Sequence, residues 1–161
     1  MANQIPAYRL LYFQQVFLLT TMDPKNKRPH VIPQLFTIPI SFKPQMVAVA
    51  VSNDRYTNHL IRKTKEFVLN IPSADMSQKV WHTAHPGGGA DKFKRSGLTP
   101  IKAKAVRPPL IKECLGAVEC KAVGQIPAGD HTLFIAKVVS TTSFRSGRIM
   151  VNSSGTHGFK L

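Results

Sequence analysis

The run Val47-Ala-Val-Ala-Val51-Ser52-Asn-Asp-Arg55-Tyr-Thr57 decides how this chain is read. Met46 to Ser52 is apolar without alternation, the pattern of a strand buried on both faces. A helix is expected to begin near Asp54, with Tyr56, Leu60, Ile61 and Thr64 on one face and Arg62, Lys63 and Lys65 in water. A strand that hands over to a helix leaves backbone N–H groups unpaired and a partial positive charge at the helix start. Ser52, Arg55 and Thr57 add two hydroxyls and a guanidinium at that corner, a place suited to a phosphate monoester. The plainer reading makes Ser52 an N-cap and Arg55 a solvated partner of Asp54. Asp54 should in either case point away from a bound anion, toward Arg55.

Working outward, Val16 to Met22 and His30 to Thr37 read as strands of a hairpin, joined by the polar loop Asp23-Pro-Lys-Asn-Lys-Arg-Pro29. The segment Ile38-Pro-Ile-Ser-Phe-Lys-Pro44 is expected to be irregular, because prolines at both ends interrupt a ladder. Phe67 to Ile71 is a further strand. Ser73 then opens a helix with Met76, Val80 and Ala84 as its apolar stripe, stopping at His85-Pro-Gly-Gly-Gly89. Asp91 to Arg95 is one more helical turn, closed by Gly97, with Leu98 folding back onto Phe93. Ala117 to Ile126 and His131 to Phe144 are long strands around the turn Pro127-Ala-Gly-Asp130. Six or more strands on short turns give a mainly antiparallel barrel. No GxGxxG or GxxxxGK follows a strand, which removes the dinucleotide- and nucleotide-loop classes.

At 161 residues the chain suits a single domain spanning residues 1–161. Hydrophobic residues make up 43% and charged residues 19%, so a packed core is expected rather than disorder. No apolar run is long enough to span a bilayer and no signal-peptide plan opens the chain, so it is placed in the cytoplasm. Lys and Arg number 22 against 8 Asp and Glu, a net charge of +14 that favours anionic partners. The basic residues are scattered and lack interleaved aromatics, which disfavours nucleic acid. Cys114 and Cys120 are expected to be buried, reduced thiols. His82 and His85 have no third ligand at a metal-site spacing. Trp81 is assigned to core or interface.

Several segments resemble the flavin reductase-like, FMN-binding split-barrel family. They are Thr20-Thr21, Pro39 to Ser52, Arg55-Tyr-Thr57-Asn-His-Leu-Ile61, Phe67-Val-Leu-Asn-Ile-Pro72, Asp91-Lys-Phe93 with Gly97-Leu-Thr-Pro100, and Gly129-Asp-His-Thr-Leu-Phe-Ile135. The similarity runs in order from about residue 12 to 140 and leans toward the flavoredoxin and ferric-reductase-like branch.

The resemblance implies a six-stranded antiparallel Greek-key split barrel with a few short peripheral helices, assembled as a homodimer with FMN near the interface. It assigns Ser52, Arg55 and Thr57 to the phosphate, and Lys92 to the basic position of the Asp-Lys-Phe element. Phe36, Thr37 and Ile38 fall in the loop whose backbone lines the isoalloxazine ring. His131 falls near the flavin or nicotinamide and is the catalytic candidate. This chain departs from the family pattern at Ile38, where a polar residue is common, at His30, where Asn is, and at Lys65, where Gly is frequent. It also stops soon after the last strand, where relatives often continue. The expected activity is an NAD(P)H-dependent flavin or ferric reductase, taking a hydride from NADH or NADPH onto the flavin. An FMN-binding electron carrier without NAD(P)H oxidation is the alternative, and a basic nucleic-acid-binding barrel a third reading.

Overall fold

The computed structural model describes residues 11, 14–84 and 91–152. Its strands are β1 (Gln14–Gln15), β2 (Phe17–Met22), β3 (Pro29–Gln34), β4 (Thr37–Phe42), β5 (Gln45–Ser52), β6 (Glu66–Ile71), β7 (Pro100–Ile101), β8 (Leu110–Ile111), β9 (Gly116–Ala128), β10 (His131–Ser143) and β11 (Val151–Asn152). Seven of them form one sheet in the order β3-β2-β6-β9-β10-β5-β4, and every pairing in it is antiparallel.

Inward-facing residues from both ends of that order share one core. Ile32 of β3 packs with Val49 and Val51 of β5, among Leu19, Phe67, Leu69, Cys120, Phe134 and Ala136. Burying each such side chain contributes about 1.5–3 kcal/mol, enough to curl the sheet until its ends meet. They meet through a side chain rather than a ladder: Gln34 Nε2 donates to the Ala50 carbonyl on β5 at 2.9 Å. The barrel is split along that seam, the mainly β split barrel expected from the sequence.

One strand was not anticipated. Residues 38–44, expected to be irregular, contribute to β4, which pairs with β5 and raises the main sheet from six strands to seven. An edge strand needs only one neighbour, so Pro39 is tolerated there, and the register shifts between Pro39 and Ser41. The expected hairpins and long strands otherwise appear within a few residues of their predicted bounds. Gly129, in the left-handed region at φ 61, makes the tight turn between β9 and β10.

Helix α1 (Tyr56–Thr64) starts two residues later than expected, with Arg55 rather than Ser52 at its N-cap. Its buried face is Thr57, Asn58, Leu60 and Ile61, and Tyr56 turns outward at 51% exposure. Arg62 is bound rather than solvated: it donates to Asn58 Oδ1 (2.8 Å) and Thr132 Oγ1 (2.7 Å), and Thr132 in turn donates to Asn53 Oδ1 (2.7 Å). This chain of bonds ties α1 to the start of β10. The C-cap is Lys65, held at φ 58 in the left-handed region, a conformation that suits the Gly which the resemblance sets at this position. Lys65→Gly should therefore raise stability by up to about 1 kcal/mol, read as a higher midpoint in urea; an unchanged or lower midpoint would show the left-handed cap to be unstrained.

A 3₁₀ turn (Ala74–Met76) leads into α2 (Ser77–Ala84), and the Ser73 hydroxyl bonds to the Asp75 carboxylate rather than to a backbone amide. Helix α3 (Lys92–Ser96) is capped as the sequence indicates. Asp91 accepts from the Lys94 amide (3.2 Å), Gly97 closes the helix at φ 62, and the Leu98 amide returns to Phe93 O (3.2 Å). Cys114 and Cys120 are buried and free, with burial pushing both thiols up to about 12. Trp81 is partly exposed on α2, outside the core. No helix among the described residues is long and apolar enough to cross a membrane. His85 and the glycines at 87–89 lie outside the described residues.

Candidate functional site

The ends of β2 and β5 and the starts of α1, β3, β4 and β10 converge on one rim of the barrel, and the candidate residues divide into two neighbouring groups there. The first is built on the β5–β10 ladder, where Ser52 stands directly opposite His131. Phe36 lies against His131, ring centroids 5.5 Å apart at 50°. His131 Nδ1 shares a 2.6 Å hydrogen bond with Asp130, which fixes the imidazole at the entrance.

Two main-chain groups at residues 36–38 are already paired. The Phe36 carbonyl accepts from both the Ala50 amide (2.9 Å) and Gln34 Nε2 (3.2 Å), and the Thr37 amide donates to Leu35 O (2.7 Å). Thr37 and Ile38 already belong to β4, where Ile38 pairs with Ala48 and is 60% exposed. These main-chain groups are occupied in holding the seam closed. The segment also offers the Thr37 hydroxyl, buried without a hydrogen-bond partner among the described residues.

The second group begins where Ser52 O accepts the Arg55 amide at 3.1 Å. No side chain caps the first turn of α1, so its leading amides keep their orphan character. Thr57, one residue into that turn, is completely buried and its hydroxyl has no partner among the described residues. A buried hydroxyl left unpaired is costly, on the order of 1–3 kcal/mol. Thr21 on β2, opposite His30 in the β2–β3 ladder, carries a second such hydroxyl.

Lys92 arrives from α3, far along the chain, and is only 7% exposed. Its Nζ donates to Thr83 O at 2.8 Å, at the end of α2. Burial lowers its pKa to about 8, helped by the positive charges of Arg55 and Arg95. Burial and the Lys92 charge together hold His30 down to about 4, so His30 is neutral at pH 7. Among the described residues neither Lys92 nor Arg55 forms an ion pair, and Asp54 does not turn to Arg55 as expected. Lys92 and Arg55 are thus gathered with no carboxylate paired to either among the described residues. Together with unpaired hydroxyls and helix-end amides, they form a cradle for a polyoxyanion such as a phosphate.

Sequence reasoning brought Ser52, Arg55 and Thr57 together and, by resemblance, Lys92. It passed over Thr21 and His30 as site residues, although two threonines inside an apolar strand were a usable signal. Among the described residues no three His, Cys, Asp or Glu gather as a metal site.

The fold is a split barrel, and its rim carries this group of residues. Residues 9–155 match the family described as "Flavin reductase like domain", and the chain belongs to that family. It is 37% identical over 135 residues to an uncharacterized protein of Pyrococcus abyssi, covering 84% of this chain and 77% of the relative. Among solved structures, flavoredoxin of Desulfovibrio vulgaris is 28% identical with a TM-score of 0.78, covering 89% of this chain and 76% of that one. The NADH:FAD oxidoreductase SgcE6 of Streptomyces globisporus superposes with a TM-score of 0.85 at 20% identity, covering 97% and 96%, a likeness of fold. Family membership supports a flavin cofactor and an oxidoreductase class.

The residues present fit the phosphate end of a flavin nucleotide. Thr57 has a buried donor to give, Lys92 a desolvated charge, and Arg55 a guanidinium at the open side.

Proposed function

We propose that this protein binds FMN and works as an NAD(P)H-dependent reductase that passes electrons to a flavin, ferric or protein acceptor. The observation that carries the reading is the meeting of Arg55, Thr57 and Lys92, from two distant segments, around buried polar atoms that no described residue satisfies. Bound there, the flavin would supply the redox chemistry, accepting a hydride at N5 from NADH or NADPH. Ser52, Arg55, Thr57 and Lys92 hold the phosphate and so set where the ring lies. Phe36 and His131 wall the adjoining space and exclude water from it. His131, tethered by Asp130, orients the nicotinamide as a hydrogen-bonding group at the entrance and carries no covalent step.

Two further parts of the reading rest on the surface. Ile38 and Phe42 of β4 and Val123 and Ile126 of β9 are exposed apolar side chains, Phe42 at 92% exposure, and such surface supports a homodimer. The whole chain would act as one domain in the cytoplasm.

The deciding measurement is a visible spectrum of the purified protein loaded with FMN, followed by anaerobic NADH and then NADPH. The expected result is a yellow band that bleaches with one of the two nucleotides. A yellow band that neither nucleotide bleaches would identify an electron carrier, and protein that never takes up FMN would remove the flavin reading.

A further inference from the structure

The corner that presents Ser52 and Arg55 has little packing to hold it. Asn53, Asp54 and Arg55 are all exposed between the end of β5 and the start of α1. Hydrogen bonds fix the corner instead, and they lead back to one arginine. Arg62 Nε donates to Asn58 Oδ1 (2.8 Å) and its Nη2 to Thr132 Oγ1 (2.7 Å). Thr132 donates in turn to Asn53 Oδ1 (2.7 Å), while Asn58 Nδ2 donates to Val51 O (2.8 Å) and, more weakly, to Asn53 Oδ1 (3.5 Å). Asn53 carries the set on to the β9–β10 turn, its amide donating to Asp130 O (2.9 Å) and its Nδ2 to Gly129 O (3.4 Å).

The direction of these bonds follows from the arginine. A guanidinium has donors and no acceptor, so the Thr132 hydroxyl accepts from it and sends its own hydrogen to Asn53. Asn53 must then turn its oxygen toward Thr132 and its NH2 toward the turn, because the flipped amide would set donor against donor. Thr132 and Asn58 are 1% and 3% exposed, and Arg62 forms no ion pair among the described residues. What such a buried polar set adds over apolar packing is direction, since a single arrangement satisfies all its members.

This set meets the cradle at three places. Asn53 adjoins Ser52, Asn58 adjoins Thr57, and the Asn58 amide donates to the Arg55 carbonyl at 2.9 Å. We infer that Arg62, acting through Thr132, Asn53 and Asn58, is a positioning residue that holds Ser52, Arg55 and Thr57 in the arrangement that grips a phosphate. The inference rests on the phosphate reading of the cradle and adds to it a group on the far side of the corner. Its planar fork spans α1 and β10 at once, which the point charge of a lysine does not.

The test titrates the purified full chain with FMN and with riboflavin, following flavin fluorescence, in the wild type, Thr132→Val, Thr132→Ser and Arg62→Lys. Valine keeps the shape and strand preference of threonine and removes the hydroxyl. Thr132→Val should weaken FMN binding by about tenfold and leave riboflavin binding unchanged. Thr132→Ser restores the hydroxyl and should restore the FMN-to-riboflavin ratio, whereas Arg62→Lys should lower that ratio as Thr132→Val does. Inorganic phosphate, titrated as a competitor of FMN, reads the cradle without the ring. Its inhibition constant should rise about tenfold in Thr132→Val and return in Thr132→Ser. A general loss of stability would lower both flavin affinities together. An unchanged ratio and unchanged phosphate competition in Thr132→Val would therefore overturn the positioning role and leave the cradle in place. Serine as damaging as valine would overturn it as well, since the packing of threonine would then be the cause. A wild type that binds neither FMN nor inorganic phosphate would remove the cradle and this inference together.

Discussion

Lys92→Met is expected to weaken FMN binding by at least about 100-fold at pH 7 and to remove most of its dependence on pH above neutrality. A hydrogen bond from a buried cation to a phosphate contributes about 1.5–3 kcal/mol, and the loss of a desolvated charge adds to it. The wild type holds Lys92 near pKa 8 because burial, Arg55 and Arg95 all oppose its charge. A bound phosphate reverses that balance and raises the pKa, so FMN binds the protonated form. Affinity should then be flat from about pH 6.5 to 7.5 and fall toward tenfold per unit once pH passes about 8.

The same group acts on folding with the opposite sense. Between about 8 and the usual 10.5 an unfolded chain keeps a proton on this lysine that the folded one has lost, so its contribution to stability rises with pH through that window. The ligand-free Lys92→Met variant should therefore be no less stable at pH 7, despite losing the bond to Thr83 O. Isothermal titration with FMN and with riboflavin, which lacks the phosphate, separates the two effects. Only FMN should respond to the substitution. A variant that binds FMN as tightly as the wild type, with the same pH profile, would take Lys92 out of the site.

Why this lysine needed a resemblance to be found, while Ser52, Arg55 and Thr57 did not, is a matter of range. A strand ending in small polar residues at a helix start is a local pattern, and local patterns survive into the fold. Asp91 and Gly97 capped α3 as expected for the same reason. That α3 would carry Lys92 back to Arg55 depends on how α2, α3 and β3 pack, which neither segment encodes alone.

The misread elements have equally specific causes. Residues 38–42 looked irregular because Pro39 argues against a central strand, but whether a strand is central or at the edge is settled by the whole sheet. Tyr56 shares helical spacing with Leu60, Ile61 and Thr64, which puts it on the buried face in the sequence reading. The stripe Thr57, Leu60, Ile61 and Thr64 has the same helical spacing, however, and it is the one turned inward. That exchange is informative: a hydroxyl occupies a core-facing place that an apolar residue would fill more favourably, and a large aromatic is left outside. Local preference yields at both positions, side by side, at the start of α1.

Thr57→Val puts that exchange to the test, and its two effects should run in opposite directions. Valine matches threonine in shape and replaces a hydroxyl that is buried without a partner, so it removes an uncompensated polar group and leaves no cavity. The ligand-free variant should be more stable than the wild type by about 1 kcal/mol, visible as a higher midpoint in urea. FMN affinity should fall by about 10- to 100-fold, because a hydroxyl donating to a charged phosphate contributes about 1.5–3 kcal/mol and valine has nothing to donate. Riboflavin affinity should not change. A residue kept only for packing would show the reverse, a loss of stability with FMN binding intact. Were the variant destabilised and its FMN affinity unaltered, the buried hydroxyl would be serving the helix rather than a ligand, and the cradle would have to be sought elsewhere on the rim.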